Sequence, residues 1–157
     1  MNDLDAMYQQ IILDAARERH GEGELDSFDG ESFQVNTTCG DQVNLQVRLS
    51  PDGSRIEEIG WEGHGCSISQ ASISIMTEML EGKELTEVMA LSETFRKLMD
   101  TRGHDLSEAD EETLEDAAAF VGVAKFPMRI KCALLGRVAL RDATDQAVLA
   151  EKGGDHV

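Results

Sequence analysis

The chain has 157 residues, of which 41% are apolar and 29% charged. This balance is typical of a globular domain with a hydrophobic core, and we expect residues 1–157 to form a single domain. The net charge of −17 argues against nucleic acid and anionic membranes as partners, because both attract concentrated Lys and Arg. It favours a partner with a basic or mixed docking surface.

Residues 1–19 do not resemble a secretory signal. Asp3, Asp5 and Asp14 fall where a signal needs a positive start and an unbroken apolar stretch. No apolar run approaches the roughly 18 residues of a membrane span. We therefore expect the chain in the reducing cytoplasm, where cysteines serve as ligands or reactive thiols before they form disulfides.

The first predicted element is an amphipathic helix over residues 4–19, which ends at His20 and Gly21. A glycine- and acid-rich loop with one short extended piece is expected up to Gly30. Alternating apolar and polar residues then predict three antiparallel strands, and residues 50–53 form a turn. The residues expected to face the core from these strands are Phe33, Val35, Val43, Leu45, Val47, Leu49, Ile56, Ile59 and Trp61.

After Gly65 the pattern changes to helical. Ser67 and Gln70 resemble a capping box, in which serine is the N-cap and glutamine follows three residues later. This helix is expected to end at Gly82, and a second helix follows with apolar residues between positions 85 and 99.

The remaining part of the chain predicts two more helices. Residues 101–116 are strongly acidic. Ser107, within this segment, is expected to cap a short helix that runs to about Phe120. Pro127 suits the first turn of a long last helix, and residues 152–157 are expected to be a disordered tail. The fold class is therefore α+β, with a small antiparallel three-stranded sheet packed against about five helices.

The candidate site residues begin with the three cysteines Cys39, Cys66 and Cys132. Cys39-Gly40-Asp41 lies at the mouth of the predicted second strand, and residues two apart on an extended chain point the same way. Gly40 permits a tight turn of the backbone. We therefore expect Cys39 and Asp41 to face one ion.

The other two cysteines lie where a thiolate is favoured. Cys66 lies at the entry to a helix, where the macrodipole and free N–H groups stabilise negative charge. Arg129 precedes Cys132 by three residues, on the same face of the last helix. Its guanidinium is expected to support the thiolate.

Three thiolates and one carboxylate form a four-ligand set that suits tetrahedral zinc. Soft sulfur ligands equally suit an iron–sulfur cluster, so the residues alone leave both open. Cysteines can also be small apolar core residues. Of the three, Cys39 fits this interpretation worst because it lies in a polar loop. His64 could be a further ligand, although its flexible Gly-His-Gly loop favours a solvated side chain.

Three segments together resemble the U-type iron–sulfur assembly proteins: Thr-Cys-Gly-Asp at 38–41, Gly-His-Gly-Cys-Ser-Ile-Ser-Gln-Ala-Ser at 63–72, and Phe-Pro-Met-Arg-Ile-Lys-Cys-Ala at 126–133. The chain is more similar to the SufU branch than to the IscU branch. IscU-like scaffolds carry histidine before the third cysteine, where this chain has Lys131. Residues 101–120 also look like the longer segment of SufU-like proteins between the second and third cysteines.

The resemblance implies zinc held by Cys39, Asp41, Cys66 and Cys132, and a SufS-type cysteine desulfurase as the partner. It also implies that docking of the partner frees Cys39, which then accepts the persulfide sulfur, with Arg129 in a supporting role. Further iron–sulfur assembly proteins would act downstream.

Three hypotheses for function follow. The first is a zinc-dependent sulfurtransferase that accepts sulfur from the desulfurase and stimulates it. The second is a scaffold on which a [2Fe–2S] or [4Fe–4S] cluster is assembled, against which Lys131 counts because a nearby histidine ligand is lost. The third is a structural zinc site, which the polar loop around Cys39 disfavours.

Overall fold

The computed structural model describes residues 3–104 and 106–154, and it confirms the α+β class with three antiparallel strands in one sheet. The elements in chain order are α1 (Asp3–Glu18), β1 (Gly30–Asn36), β2 (Asp41–Leu49), β3 (Ile56–His64), α2 (Ser67–Leu80), α3 (Leu85–Asp100), α4 (Glu108–Leu114), a 3-10 helix (Glu115–Lys125) and α5 (Pro127–Gly154).

The sheet has the order β1-β2-β3, and both pairs of strands are antiparallel. Its central strand confirms the alternation in the sequence, because Val43, Leu45 and Val47 are fully buried. The outer edge of β3 is covered by the chain that follows α1. There Gly23 N donates to Trp61 O over 2.8 Å, so the loop does contain one short extended piece.

The face that β1 turns to the core differs from the prediction. Phe33 and Val35 are 58% and 45% exposed, whereas Gly30 and Ser32 are buried. Helix α5 crosses β1 so closely that a Cβ on Gly30 would lie 1.9 Å from Ala143 O. There is no room for large side chains on that face, so the prediction that Phe33 and Val35 face the core is wrong.

Helix α2 lies between two apolar clusters. Ile73 and Met76 pack with the sheet and α5, and Ala71 and Ile75 pack with α1, α3 and the 3-10 helix. Because α2 is buried on both sides, its position is fixed from its first turn to its last. That first turn lies directly after Cys66.

The predicted helix boundaries need two corrections. The N-cap of α2 is Cys66 and not Ser67, and it makes no side-chain capping hydrogen bond. Ser107 is confirmed as an N-cap, since its Oγ accepts from Asp110 N over 3.2 Å. The helix that follows is not continuous to Phe120, because Glu115 adopts a left-handed φ of 50° and the chain continues as a 3-10 helix.

The last helix is longer than predicted. It is described to Gly154, and residues 155–157 of the predicted tail lie outside the described residues. Within the described part of the chain, no helix combines the length and apolar character needed to cross a bilayer.

Candidate metal centre

Three chain segments meet at one end of the sheet. The β1–β2 turn carries Cys39 and leads into Asp41, the junction of β3 and α2 carries Cys66, and the second turn of α5 carries Cys132. Residues far apart in sequence are thus brought together because one hairpin turn, one strand end and two helix beginnings share this end.

The β1–β2 turn is shaped by Asn36, which ends β1. Its backbone O accepts from Gly40 N over 2.9 Å, and its Oδ1 accepts from Thr38 N over 3.2 Å. Gly40 has a left-handed φ of 73°, a conformation that glycine adopts without penalty. Cys39 and Asp41 therefore approach each other through a tight turn and not, as predicted, along an extended chain.

Asp41 is a fully buried carboxylate at the centre of the site. Its Oδ1 accepts a hydrogen bond from Cys66 N over 2.7 Å, and its Oδ2 lies 3.5 Å from Cys66 Sγ. A Cβ at Gly65 would lie 2.1 Å from Asp41 Oδ1, and Gly65 also has a φ of 149°. Only glycine therefore allows the β3–α2 junction to close over this carboxylate.

Cys132 is the buried cysteine of the three, with 2% exposure. Its Sγ lies 3.3 Å from Cys39 Sγ and 3.9 Å from Asn36 Nδ2. Burial, together with hydrogen bonds to Asp41 and Cys39, raises the pKa of the Cys132 thiol. Since burial disfavours the bare thiolate here, a cation at the site would be needed to hold it deprotonated at neutral pH.

The donor atoms of Cys39, Asp41 and Cys132 lie within 4.8 Å of one another, a group that could hold a metal ion. Cys66 adjoins this group through its 3.5 Å contact with Asp41 Oδ2. Three sulfurs and one carboxylate oxygen are the number and kind of donors that tetrahedral zinc takes. The arrangement of side chains thus fits the predicted ligand set.

The four side chains differ in their access to solvent. Asp41 and Cys132 are buried, whereas Cys39 and Cys66 are exposed. Cys39 lies on a four-residue turn with open space beside Gly40, and Cys66 is the N-cap of a buried helix. Of the two accessible thiols, Cys39 therefore lies on a short surface turn, whereas Cys66 is joined directly to a buried helix.

Arg129, Lys131 and His64 lie outside the cluster of donor atoms. The Arg129 guanidinium stacks over the Phe126 ring at 4.7 Å from its centroid, and Lys131 is exposed beside Cys132 on α5. His64 pairs with Gln42 in the sheet, so alternation directs it to the face opposite Asp41. The described residues therefore give His64 no place in the group.

Asn36 is the site residue that the sequence did not reveal. It holds the turn and also contacts the buried Cys132 sulfur. The signal that could have found it is an asparagine directly before a short polar turn, where its side chain commonly accepts a backbone N–H.

The fold and this cysteine–aspartate site define the class of protein. The chain belongs to the family of the NifU-like N-terminal domain, whose model matches residues 7–133. Similar relatives include the zinc-dependent sulfurtransferase SufU of Bacillus subtilis, 38% identical over 98% of this chain and 97% of that protein. The iron–sulfur cluster assembly scaffold protein IscU of Streptococcus pyogenes is 37% identical over 96% and 91%.

A solved structure supports the same assignment. The SUF-system scaffold protein FiSufU from Fervidobacterium islandicum AW-1, described as an iron–sulfur cluster assembly protein, superposes with a TM-score of 0.77. It is 30% identical and covers 88% of this chain and 97% of its own. Together with the match to the family model, this superposition confirms the predicted resemblance.

Proposed function

We propose that this chain is a zinc-dependent sulfurtransferase of iron–sulfur cluster biogenesis, which accepts persulfide sulfur from a SufS-type cysteine desulfurase and stimulates it. The observation that carries the proposal is the joining of two accessible thiols to a buried thiol and a buried carboxylate. The full-length similarity to a protein named a zinc-dependent sulfurtransferase supports it. We place this activity in the cytoplasm, with further iron–sulfur assembly proteins as acceptors downstream.

Cys39, Asp41, Cys66 and Cys132 would hold the zinc ion. When bound, zinc would keep the coordinating sulfurs deprotonated at neutral pH. Asp41 is suited to bind through Oδ2, because Oδ1 is already occupied by the Cys66 N–H. Cys132 is fixed by burial in α5, so the buried pair forms the stable half of the site.

Cys39 is the proposed sulfur acceptor. Its thiolate attacks the terminal sulfur of the desulfurase persulfide; a new S–S bond forms on Cys39, and the desulfurase cysteine leaves as a thiolate. No net oxidation or reduction occurs, because one S–S bond replaces another. Exposure of Cys39 on a short turn lets it move toward a partner without unfolding the sheet. Arg129, exposed at the start of α5, is proposed to support the docked state.

A cluster-building scaffold is the second candidate. It is favoured by the scaffold names of the Streptococcus and Fervidobacterium relatives, and the same donors could bind iron. The exposed Lys131 beside Cys132 offers no imidazole where IscU-like scaffolds carry one. This departure makes the sulfurtransferase the better-supported proposal.

One experiment separates the two. We would purify the protein in air, measure its metal content, and assay desulfurase turnover with and without it. Stoichiometric zinc, stimulated turnover and a Cys39 peptide heavier by one sulfur atom are expected. Thr38→Ala, in the same turn, is the matched control that should keep full stimulation, whereas Cys39→Ala should lose it.

Two results would contradict the proposal. A coloured protein that passes an intact cluster to an apo-acceptor would establish the scaffold. Zinc that is required only for folding, with no effect on the desulfurase, would establish a structural site.

A further inference from the structure

Ser69 and Gln70 are polar residues in the first turn of α2, and both side chains are buried although neither caps the helix. Ser69 is 0% and Gln70 4% exposed. Buried polar groups are costly unless they are hydrogen-bonded. Their partners therefore indicate what these two residues do.

Arg19 is the partner of Gln70. It follows α1 in a left-handed conformation with a φ of 46°, which costs free energy for a residue with a Cβ. This conformation lets the guanidinium reach across to the β3–α2 junction. Nη1 donates to Gln70 Oε1 over 2.6 Å, and Nη2 donates to Gly63 O over 2.8 Å. The guanidinium also stacks on Trp61, 4.8 Å from the ring centroid.

From Gln70 the hydrogen bonds continue to a candidate ligand. Gln70 Nε2 donates to Ser69 Oγ over 3.2 Å, and Ser69 Oγ donates to Cys66 O over 3.1 Å. All the donors point in the same direction, from Arg19 toward Cys66. Hydrogen bonds in such a chain polarise and strengthen one another. One guanidinium thus holds Gly63 directly and Cys66 through two buried side chains.

The segment held in this way leads from the sheet to a candidate ligand. Gly65 has a left-handed φ of 149°, and Cys66 itself is exposed. Its N–H must point at Asp41 for the carboxylate to be held on the side of the sulfurs. Without a brace, a glycine-containing junction would sample other orientations.

We propose that Arg19 is a positioning residue for Cys66: through Gln70 and Ser69 it fixes the backbone that directs the Cys66 thiol to the metal centre. The inference rests on the proposed metal site but not on sulfur transfer. Groups that orient metal ligands typically change metal affinity by about 10–100-fold. We expect Arg19 to change metal affinity by a factor in this range, although it does not contact the metal.

The test uses cobalt(II), whose absorption bands report thiolate coordination, titrated into the metal-free full-length protein. Gln70→Met interrupts the chain by removing the bonds from Gln70 to Arg19 and Ser69 while keeping the side-chain length. Arg19→Ala removes the guanidinium from which the chain starts. Each should weaken cobalt binding about tenfold. The double variant should lose no more than the stronger single variant, because both changes break the same chain.

Gln70→Glu distinguishes positioning from stability. Glutamate keeps the contact with Arg19 but cannot donate to Ser69, and it competes for the Ser69 hydroxyl proton. We expect weakened cobalt binding in a variant whose metal-free form stays folded, because the new carboxylate remains paired with Arg19. Arg48→Ala is the matched control: Arg48 also makes two side-chain contacts, with Glu57 and Glu58, but on the sheet surface.

Wild-type cobalt affinity and spectrum in Gln70→Met and Gln70→Glu would overturn the inference, even if Arg19→Ala does not fold. An effect no larger than that of Arg48→Ala would do the same. If the wild-type protein itself binds neither cobalt nor zinc, the proposed function fails and the inference with it. If metal binding responds as expected but the desulfurase is not stimulated, only the proposed function fails.

Discussion

Asp41 combines two tasks in one carboxylate. Oδ1 accepts the Cys66 N–H, and Oδ2 faces the Cys66 sulfur. The first contact orders the β3–α2 junction, and the second belongs to the candidate ligand set. A carboxylate does both because it has two acceptor oxygens.

Substitutions of Asp41 should separate these tasks. Asp41→Ala leaves the Cys66 N–H without an acceptor, so we expect a loss of about 1–3 kcal/mol in the free energy of unfolding together with loss of zinc. Asp41→Asn keeps an acceptor oxygen but removes the charge, so metal-free stability should stay within about 1 kcal/mol of wild type while zinc retention falls. Urea unfolding of the metal-free proteins and zinc content check both. Unchanged zinc content in both variants would remove Asp41 from the ligand set.

At the scale of elements, α5 joins the site to the core. Its second turn carries Cys132. Further along, α5 packs so closely against β1 that a side chain at position 30 would have no space. The same helix also buries Arg137, whose guanidinium lies over the Phe95 ring at 4.2 Å from the centroid. Nε and Nη1 of Arg137 have no hydrogen-bond partner within the described part of the chain.

Replacing this cation should stabilise the fold. Burial lowers the pKa of Arg137 to about 9, so it stays charged at neutral pH in an apolar setting. A cation–π contact contributes up to about 2 kcal/mol, whereas the desolvation of a buried ion costs several kcal/mol. Arg137→Met should therefore raise the free energy of unfolding by about 1 kcal/mol or more at pH 7, measured by urea unfolding.

The pH dependence of that difference has a defined sign. Because the folded-state pKa of Arg137 lies below the unfolded value of about 12.5, the unfolded chain binds more protons above pH 9. Wild-type stability should then rise with pH relative to Arg137→Met. The advantage of the variant should shrink between pH 8 and pH 10. A constant advantage over this range would mean that the guanidinium stays protonated in the folded chain up to pH 10.

For the whole molecule, the sequence predicted the order of strands and helices better than the buried faces of the strands and the contacts between side chains. The strict alternation of β2 identified its apolar buried side, where Val43, Leu45 and Val47 are fully buried. In β1 the same rule fails at Phe33, since the close approach of α5 reserves the inner face for Gly30 and Ser32. The pattern of hydrophobic residues along the chain does not show how closely two elements will pack in the fold.

At the site, too, the sequence identified the residues that matter but not the contacts that they make. Residue types and motifs were enough to select Cys39, Asp41 and Cys132, which the fold brings together. The contacts of Asn36 and Arg19 depend on turns with left-handed residues and on side chains that reach across elements. Neither follows from spacing along the chain.

Metal binding should act on the stability of the whole molecule. The candidate ligands come from the β1–β2 turn, the β3–α2 junction and α5, so one ion would tie the sheet to the beginnings of α2 and α5. A metal present at about 1,000 times its dissociation constant adds about 4 kcal/mol to the free energy of unfolding. For a chain of this size that corresponds to roughly 10 °C in the unfolding temperature.

Removal of zinc with a chelator should therefore lower the unfolding temperature by about that amount, and added zinc should restore it. Cys132→Ala, which removes the buried ligand, should unfold at the same temperature with and without chelator, because no tight site remains. Thermal denaturation followed by circular dichroism measures both. A chelator effect of equal size in wild type and Cys132→Ala would place the stabilising metal elsewhere on the molecule. If the chelator has no effect on the wild-type protein, a metal bound by these four side chains does not stabilise the fold.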